Sequence, residues 1–82
     1  MDYCEYKVEL LWDPETKQFT AEVPTLGIAD YGSTVEETLQ SVRDMIVFHI
    51  ECLIEEGEVV PEELEGGEGT YVRVRRPLAH AA

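Results

Sequence analysis

The sequence predicts an α+β fold of two layers, an antiparallel sheet carrying one long helix on a single face, in the order β-β-β-α-β. Three observations predict it. Two alternating apolar/polar runs are joined by a short polar turn near the start of the chain, which is the pattern of a β-hairpin. A single apolar stripe at helical spacing follows from Val35, sized to lie on a sheet. A last alternating run lies beyond the helix, and hairpin-linked strands with one helix on one side make a two-layer domain.

Residues 3–12, YCEYKVELLW, place Cys4, Tyr6, Val8, Leu10 and Trp12 on one face and Glu5, Lys7 and Glu9 on the other, the period-two signature of a strand with one buried face. Asp13-Pro14 opens a turn, with proline pre-setting φ at the second position. Residues 17–23, KQFTAEV, alternate again, with Phe19, Ala21 and Val23 inward and Gln18, Thr20 and Glu22 outward. Pro24 has no N–H to give a ladder and ends this strand. Gly27 permits a sharp turn, residues 28–31 suffice for a short third strand, and Gly32 reads as its break.

The helix start is marked by capping-box spacing between Thr34 and Glu37, with Ser33 and Glu36 as the alternative register. Glu36 and Glu37 also sit where the helix dipole favours negative charge. The stripe runs through Val35, Leu39, Val42, Ile46, Ile50 and Leu53, and Gly57 suits the position after the cap. A helix over 35–56 is roughly 33 Å long. Met45, Val47, Phe48 and Ile54 widen its apolar surface, either as a broader core or as a flank that packs on a second subunit.

Residues 55–68, EEGEVVPEELEGGE, hold seven glutamates and no basic residue. They read as a loop, with a flexible acidic connector over 65–69. TYVRVRR then places Val72 and Val74 against Tyr71, Arg73 and Arg75, and Pro77 stops this last strand. Residues 77–82 read as a loose tail. The whole chain, 1–82, is read as one domain.

A chain of 82 residues buries only about 60–65% of its unfolded surface, so self-association is a natural source of added stability. Met1-Asp2-Tyr3 offers no basic or apolar leader, and the apolar-rich stretch 45–54 is interrupted by His49 and Glu51, so neither a signal peptide nor a membrane span is expected. With two cysteines, Cys4 and Cys52, a reduced cytoplasmic protein is the economical reading. Eighteen acidic residues stand against six Lys and Arg, a net charge of −12. That balance disfavours autonomous nucleic-acid binding, which needs clustered basic residues, and suits a basic partner. The same charge also serves solubility alone.

Little points to catalysis. His49 and Cys52 share a helix flank, but two ligands without further ones nearby make a poor zinc site; a structural histidine explains His49. Ser33 as a nucleophile needs a base within reach, and capping explains it instead. Nothing in the sequence positions a second carboxylate beside Asp30. No enzyme activity, cofactor or metal is expected. Arg73, Arg75 and Arg76 supply half of the basic residues. A V-R-V-R strand opens some dimeric DNA-binding folds, but those need two helices after it, and only PLAHAA follows. Pairing of this strand's outer face with acidic neighbours accounts for it.

In YKVELLWD (6–13), FTAEVPTLG (19–27), GSTVEETL (32–39) and IECLIEEGEVVPE (50–62), the chain resembles the HicB-like antitoxin domain, over roughly residues 3–63. The order carries the resemblance: a strand ending at an acidic turn, a second ending in Ala-Glu-Val-Pro, a Leu-Gly turn, a capped Glu-Glu helix start, and a Glu-Glu-Gly-Glu end before proline. The turn is one residue shorter than the family's usual Leu-Pro-Gly.

The resemblance implies a β-β-β-α-β domain of a small cytosolic bacterial or archaeal protein that forms dimers or tetramers. It implies an antitoxin that binds a small basic RNA-cleaving toxin of the HicA kind and blocks its catalytic histidine. Many such antitoxins add a C-terminal DNA-binding domain; no helix pair follows Leu64, so binding of operator DNA by this chain alone is not expected. The residues expected to meet the partner are Glu22, Asp30 and Tyr31 near the sheet edge, where strand addition is invited, and Glu62, Glu63 and Glu65 in the acidic connector. The alternative is a stand-alone, self-associating accessory domain with no toxin. A small hydrolase or nuclease is the third reading, and needs carboxylates clustered around a metal.

Overall fold

A computed structural model describes residues 3–63 and 67–77. The chain forms β1 (Tyr3–Asp13), β2 (Gln18–Val23), β3 (Ile28–Gly32), α1 (Val35–Glu55) and β4 (Thr70–Arg75). The four strands make one antiparallel sheet in the order β3-β2-β1-β4, and α1 packs on one side of it. This is the α+β two-layer architecture that the alternating runs and the helical stripe predict. Glu65 and residues 78–82 lie outside the described residues, as does part of the 65–69 connector.

Both hairpin turns follow from their residues. At the first, the Asp13 carboxylate accepts from the Glu15 N–H at 2.9 Å, and Lys17 takes a left-handed φ of 56° before Gln18 pairs with Asp13. At the second, the Gly27 N–H reaches the Val23 carbonyl at 2.9 Å. Gly27 has φ 68°, a conformation that costs other residues about 1–2 kcal/mol.

The helix begins as its capping residues predict. Thr34 is the N-cap, and its Oγ1 accepts from the Glu37 N–H at 3.0 Å. Glu37 turns its carboxylate back to Ser33, accepting from both the Ser33 backbone N–H and its hydroxyl. Thr34 and Glu37 thus provide the register, and Ser33 is held by the same carboxylate. At the other end, the Gly57 N–H donates to Ile54 and the Glu58 N–H to Leu53. With Gly57 at φ 73°, this is the Schellman closure.

The core lies between α1 and the inner sheet face. Tyr6 and Val8 of β1, Ala21 and Val23 of β2, and Val72 and Val74 of β4 meet Val42, Ile46 and Ile50 of the helix. The predicted stripe is displaced at both ends. Val35 is exposed, and Thr38 is the buried residue of the first turns, its hydroxyl bonded to the Thr34 carbonyl at 2.7 Å. Leu53 is only half-buried. Of the flanking apolar residues, Val47 and Ile54 extend the core, whereas Phe48 is 66% exposed.

Two further readings are corrected. Trp12 falls on the inner face by parity, yet it is 51% exposed. It sits beside the hairpin turn at the rim of the core, with its ring against Phe19 at 4.7 Å between centroids. Gly32 does not break β3 but is its last residue. A Cβ there would meet Thr38 Oγ1 at 2.9 Å and Thr38 N at 3.0 Å, so glycine is what lets the edge strand and the helix N-terminus approach so closely.

Candidate functional site

The sheet is staggered. β4 pairs with β1 over residues 3–8 and β2 pairs with it over residues 9–13, on opposite sides. This leaves four stretches of strand edge without a strand neighbour: the first half of β1 on its β2 side, the second half of β1 on its β4 side, and the outer edges of β3 and β4. In an antiparallel strand, alternate residues turn both N–H and C=O to the same side. Three of them, all but the second half of β1, have an outward backbone group bonded to a side chain.

On β1, the Lys7 N–H donates to the Glu63 carboxylate at 2.9 Å. The same Glu63 oxygen accepts from the Thr25 hydroxyl at 2.8 Å, tying the β2–β3 turn to this edge. One residue away, the Tyr6 hydroxyl donates to the Pro61 carbonyl at 2.6 Å. Burial pushes the Tyr6 phenol up to about 12, with the neighbouring Cys4 adding to the effect. On β3, the Tyr31 N–H points away from β2 and donates to the Asp30 carboxylate at 2.9 Å. On β4, Arg43 reaches from the helix to the Arg73 carbonyl at 3.5 Å, the long limit of a hydrogen bond. Edge strands left bare invite pairing with other chains; these three edges are blunted.

The predicted partner-binding residues therefore separate. Glu63 serves an internal clamp. Asp30 lies on the helix side of β3, opposite Ala21, and caps the edge that it was expected to offer. Glu62 is exposed beside the clamp. Glu22 and Tyr31 project from the outer sheet face, which no element of the described chain covers.

That outer face is divided by charge. Over β1, β2 and β3, Glu9 stands directly opposite Glu22, and Leu11, Thr20 and Tyr31 form one row across three strands. Leu11 is 53% and Tyr31 61% exposed. Like charges directly opposite each other weaken a sheet, and no cation pairs with Glu9 or Glu22 among the described residues. Over β1 and β4, Tyr3 faces Arg75, Glu5 faces Arg73 and Lys7 faces Tyr71. Arg73 pairs with Glu5 at 3.5 Å and lies 5.6 Å from the Tyr3 ring centre. Glu9 was legible as an outward residue; that it meets Glu22 depends on register. The signal for Leu11 was the Leu10-Leu11-Trp12 run, in which three consecutive apolar residues must turn one outward.

The solved structure of the N-terminal domain of Burkholderia pseudomallei antitoxin HicB superposes with a TM-score of 0.70, over 90% of this chain and 99% of that one, at 24% sequence identity. This chain shares the fold of that HicB domain. No family model matches the sequence, and no curated protein does.

Cys4 and Cys52 are free and half-buried, and His49 is half-buried on the helix flank. Among the described residues, no three His, Cys, Asp or Glu side chains group as metal ligands, and no helix is long and apolar enough to cross a membrane.

Proposed function

We infer that this chain is a non-enzymatic, cytoplasmic protein-binding domain that neutralises a small basic RNA-cleaving toxin. One observation supports the reading above the others: a fold shared with an antitoxin domain over 90% of the chain carries two uncompensated glutamates side by side on an uncovered face. A protein that handles RNA presents Lys and Arg to phosphate, and the Glu9–Glu22 pair offers such groups a competing anion. Leu11 and Tyr31 supply the apolar contact beside it, and Glu62 adds charge near the clamped edge. With β3, β4 and the first half of β1 capped at their edges, the partner meets side chains of the sheet face rather than adding a strand there.

A pull-down from lysate of the native host, with salt varied in the wash, tests this. The expected result is recovery of a small basic protein that is lost as salt rises and is not recovered by Glu22→Lys. Recovery of this chain alone at low salt would shift the reading to the self-associating accessory domain.

A further inference from the structure

We propose that the second half of β1 is a docking edge for a strand from another protein: residues 9–13 take, on their β4 side, an extended segment that alternates apolar and basic residues. β4 stops short of this edge. Its ladder with β1 ends at Val8 and Thr70, and the residues before it turn away. Gly67 and Gly69 have φ of 97° and 149°, and the Tyr71 hydroxyl donates to the Gly67 carbonyl at 3.1 Å. Gly69 lies against the Lys7 side chain, whose Cε would stand 2.8 Å from a Cβ there.

The vacant stretch offers defined groups. The Lys7 N–H points to the β2 side, so by alternation Leu10 and Trp12 turn both N–H and C=O to the β4 side. Among the described residues these groups meet no backbone partner, and no side chain caps them as Asp30 and Glu63 cap other edges. The stretch is also open, with Glu9, Leu11 and Trp12 exposed and Leu10 half-buried.

Charge and register decide what fits. A strand laid in line with β4 puts the residues opposite Leu10 and Trp12 on the inner side, where apolar side chains cover both. The residues opposite Glu9 and Asp13 fall on the outer side. Neither carboxylate pairs with a cation among the described residues, and Glu22 stands directly across from Glu9, so lysine or arginine is favoured there. A second copy is a poor occupant. Its own residues 9–13, paired about a two-fold axis through Leu11, set Glu9 against Asp13 at both ends, and like charges directly opposite destabilise a sheet. The edge recognises a basic, alternating strand whether or not the protein that carries it is a toxin.

The test is an amide NMR titration of the full chain with the end-blocked peptide Lys-Val-Thr-Val-Lys, whose valines fall opposite Trp12 and Leu10. In the free chain, the Leu10 and Trp12 amides are expected to exchange at least roughly ten-fold faster than those of Glu9 and Leu11, which face β2. Peptide added to about 5 mM shifts and protects the Leu10 and Trp12 amides. N-methylation of both valines removes the donors that face this edge and abolishes the shifts; N-methylation of the threonine, which faces away, keeps them. Glu9→Lys, shown to be folded by circular dichroism, weakens binding at least roughly three-fold, and Glu-Val-Thr-Val-Glu does not bind. A titration without shifts at Leu10 and Trp12 would overturn the proposal. So would binding indifferent to N-methylation of the valines, or shifts confined to the sheet face around Glu22 and Tyr31, since either is charge attraction without strand pairing. Protection of Leu10 and Trp12 that rises with the concentration of the chain alone would also overturn it, by giving the edge to a second copy.

Discussion

The Asp30 carboxylate caps the outward N–H of Tyr31 at 2.9 Å on the edge strand. Capping one residue by its neighbour removes a donor from a free sheet edge without help from any other element. Asp30→Ala restores that donor. Light scattering over a concentration series is expected to show species larger than those of wild type, while the unfolding free energy changes by no more than about 1 kcal/mol. Asp30→Asn keeps an acceptor and falls between the two.

Glu63 holds the first half of β1 and the β2–β3 turn through the Lys7 N–H and the Thr25 hydroxyl. Glu63→Ala strands both donors and is expected to cost about 1–3 kcal/mol in urea unfolding. Glu62→Ala, at an exposed neighbouring position, changes stability by no more than about 0.5 kcal/mol. The two glutamates are adjacent and alike in charge, so the contrast separates the clamp from the general acidity of the segment.

Gly32 and Gly27 make different demands. Gly32→Ala forces a methyl against Thr38 Oγ1 and N and is expected to cost about 1–3 kcal/mol by overpacking. Gly27→Ala meets nothing within 4 Å and pays only for its positive φ, about 1–2 kcal/mol. Melting the two variants beside wild type checks the order.

Two groups link stability to pH. Hydrogen bonds from the Ser33 hydroxyl and N–H hold the Glu37 carboxyl below its usual range. Its contribution is present above the unfolded-state pKa and is lost as pH falls through the lowered value. Glu37→Gln flattens that acid limb. Tyr6 behaves in the opposite sense: burial raises its phenol from 10.0 to about 12, so its contribution is complete below pH 10.0 and is lost as pH rises toward 12. Tyr6→Phe removes the alkaline limb and the phenolate absorbance that appears near pH 12, at a cost of about 1 kcal/mol for the bond to Pro61.

What could be read from the residues was local. Thr34, Glu37 and Gly57 mark the helix ends because capping is settled within a few residues, and alternation marks the strand faces because parity is a property of one strand. Register is not local. That Glu9 meets Glu22, or that Asp30 turns to its own edge, follows from how strands slide against one another. The Glu63 clamp spans 56 positions to Lys7, and nothing in an acidic loop distinguishes the one carboxylate that folds inward from those that stay in water. Trp12 and Val35 were misplaced for a related reason: the pattern gives the face of an element, not where the opposing layer stops. The charge division of the outer face emerges only when four strands are laid side by side.

Neutralisation of a basic RNA-cleaving partner is tested most directly by RNA cleavage itself. The purified product of a short basic reading frame beside this gene is assayed alone and with increasing amounts of this chain. Cleavage is expected to fall to background as the chain reaches equimolar amounts, and to persist when Glu9→Lys/Glu22→Lys replaces wild type. Undiminished cleavage with the wild-type chain in excess, or cleavage of RNA by this chain alone, would contradict the account.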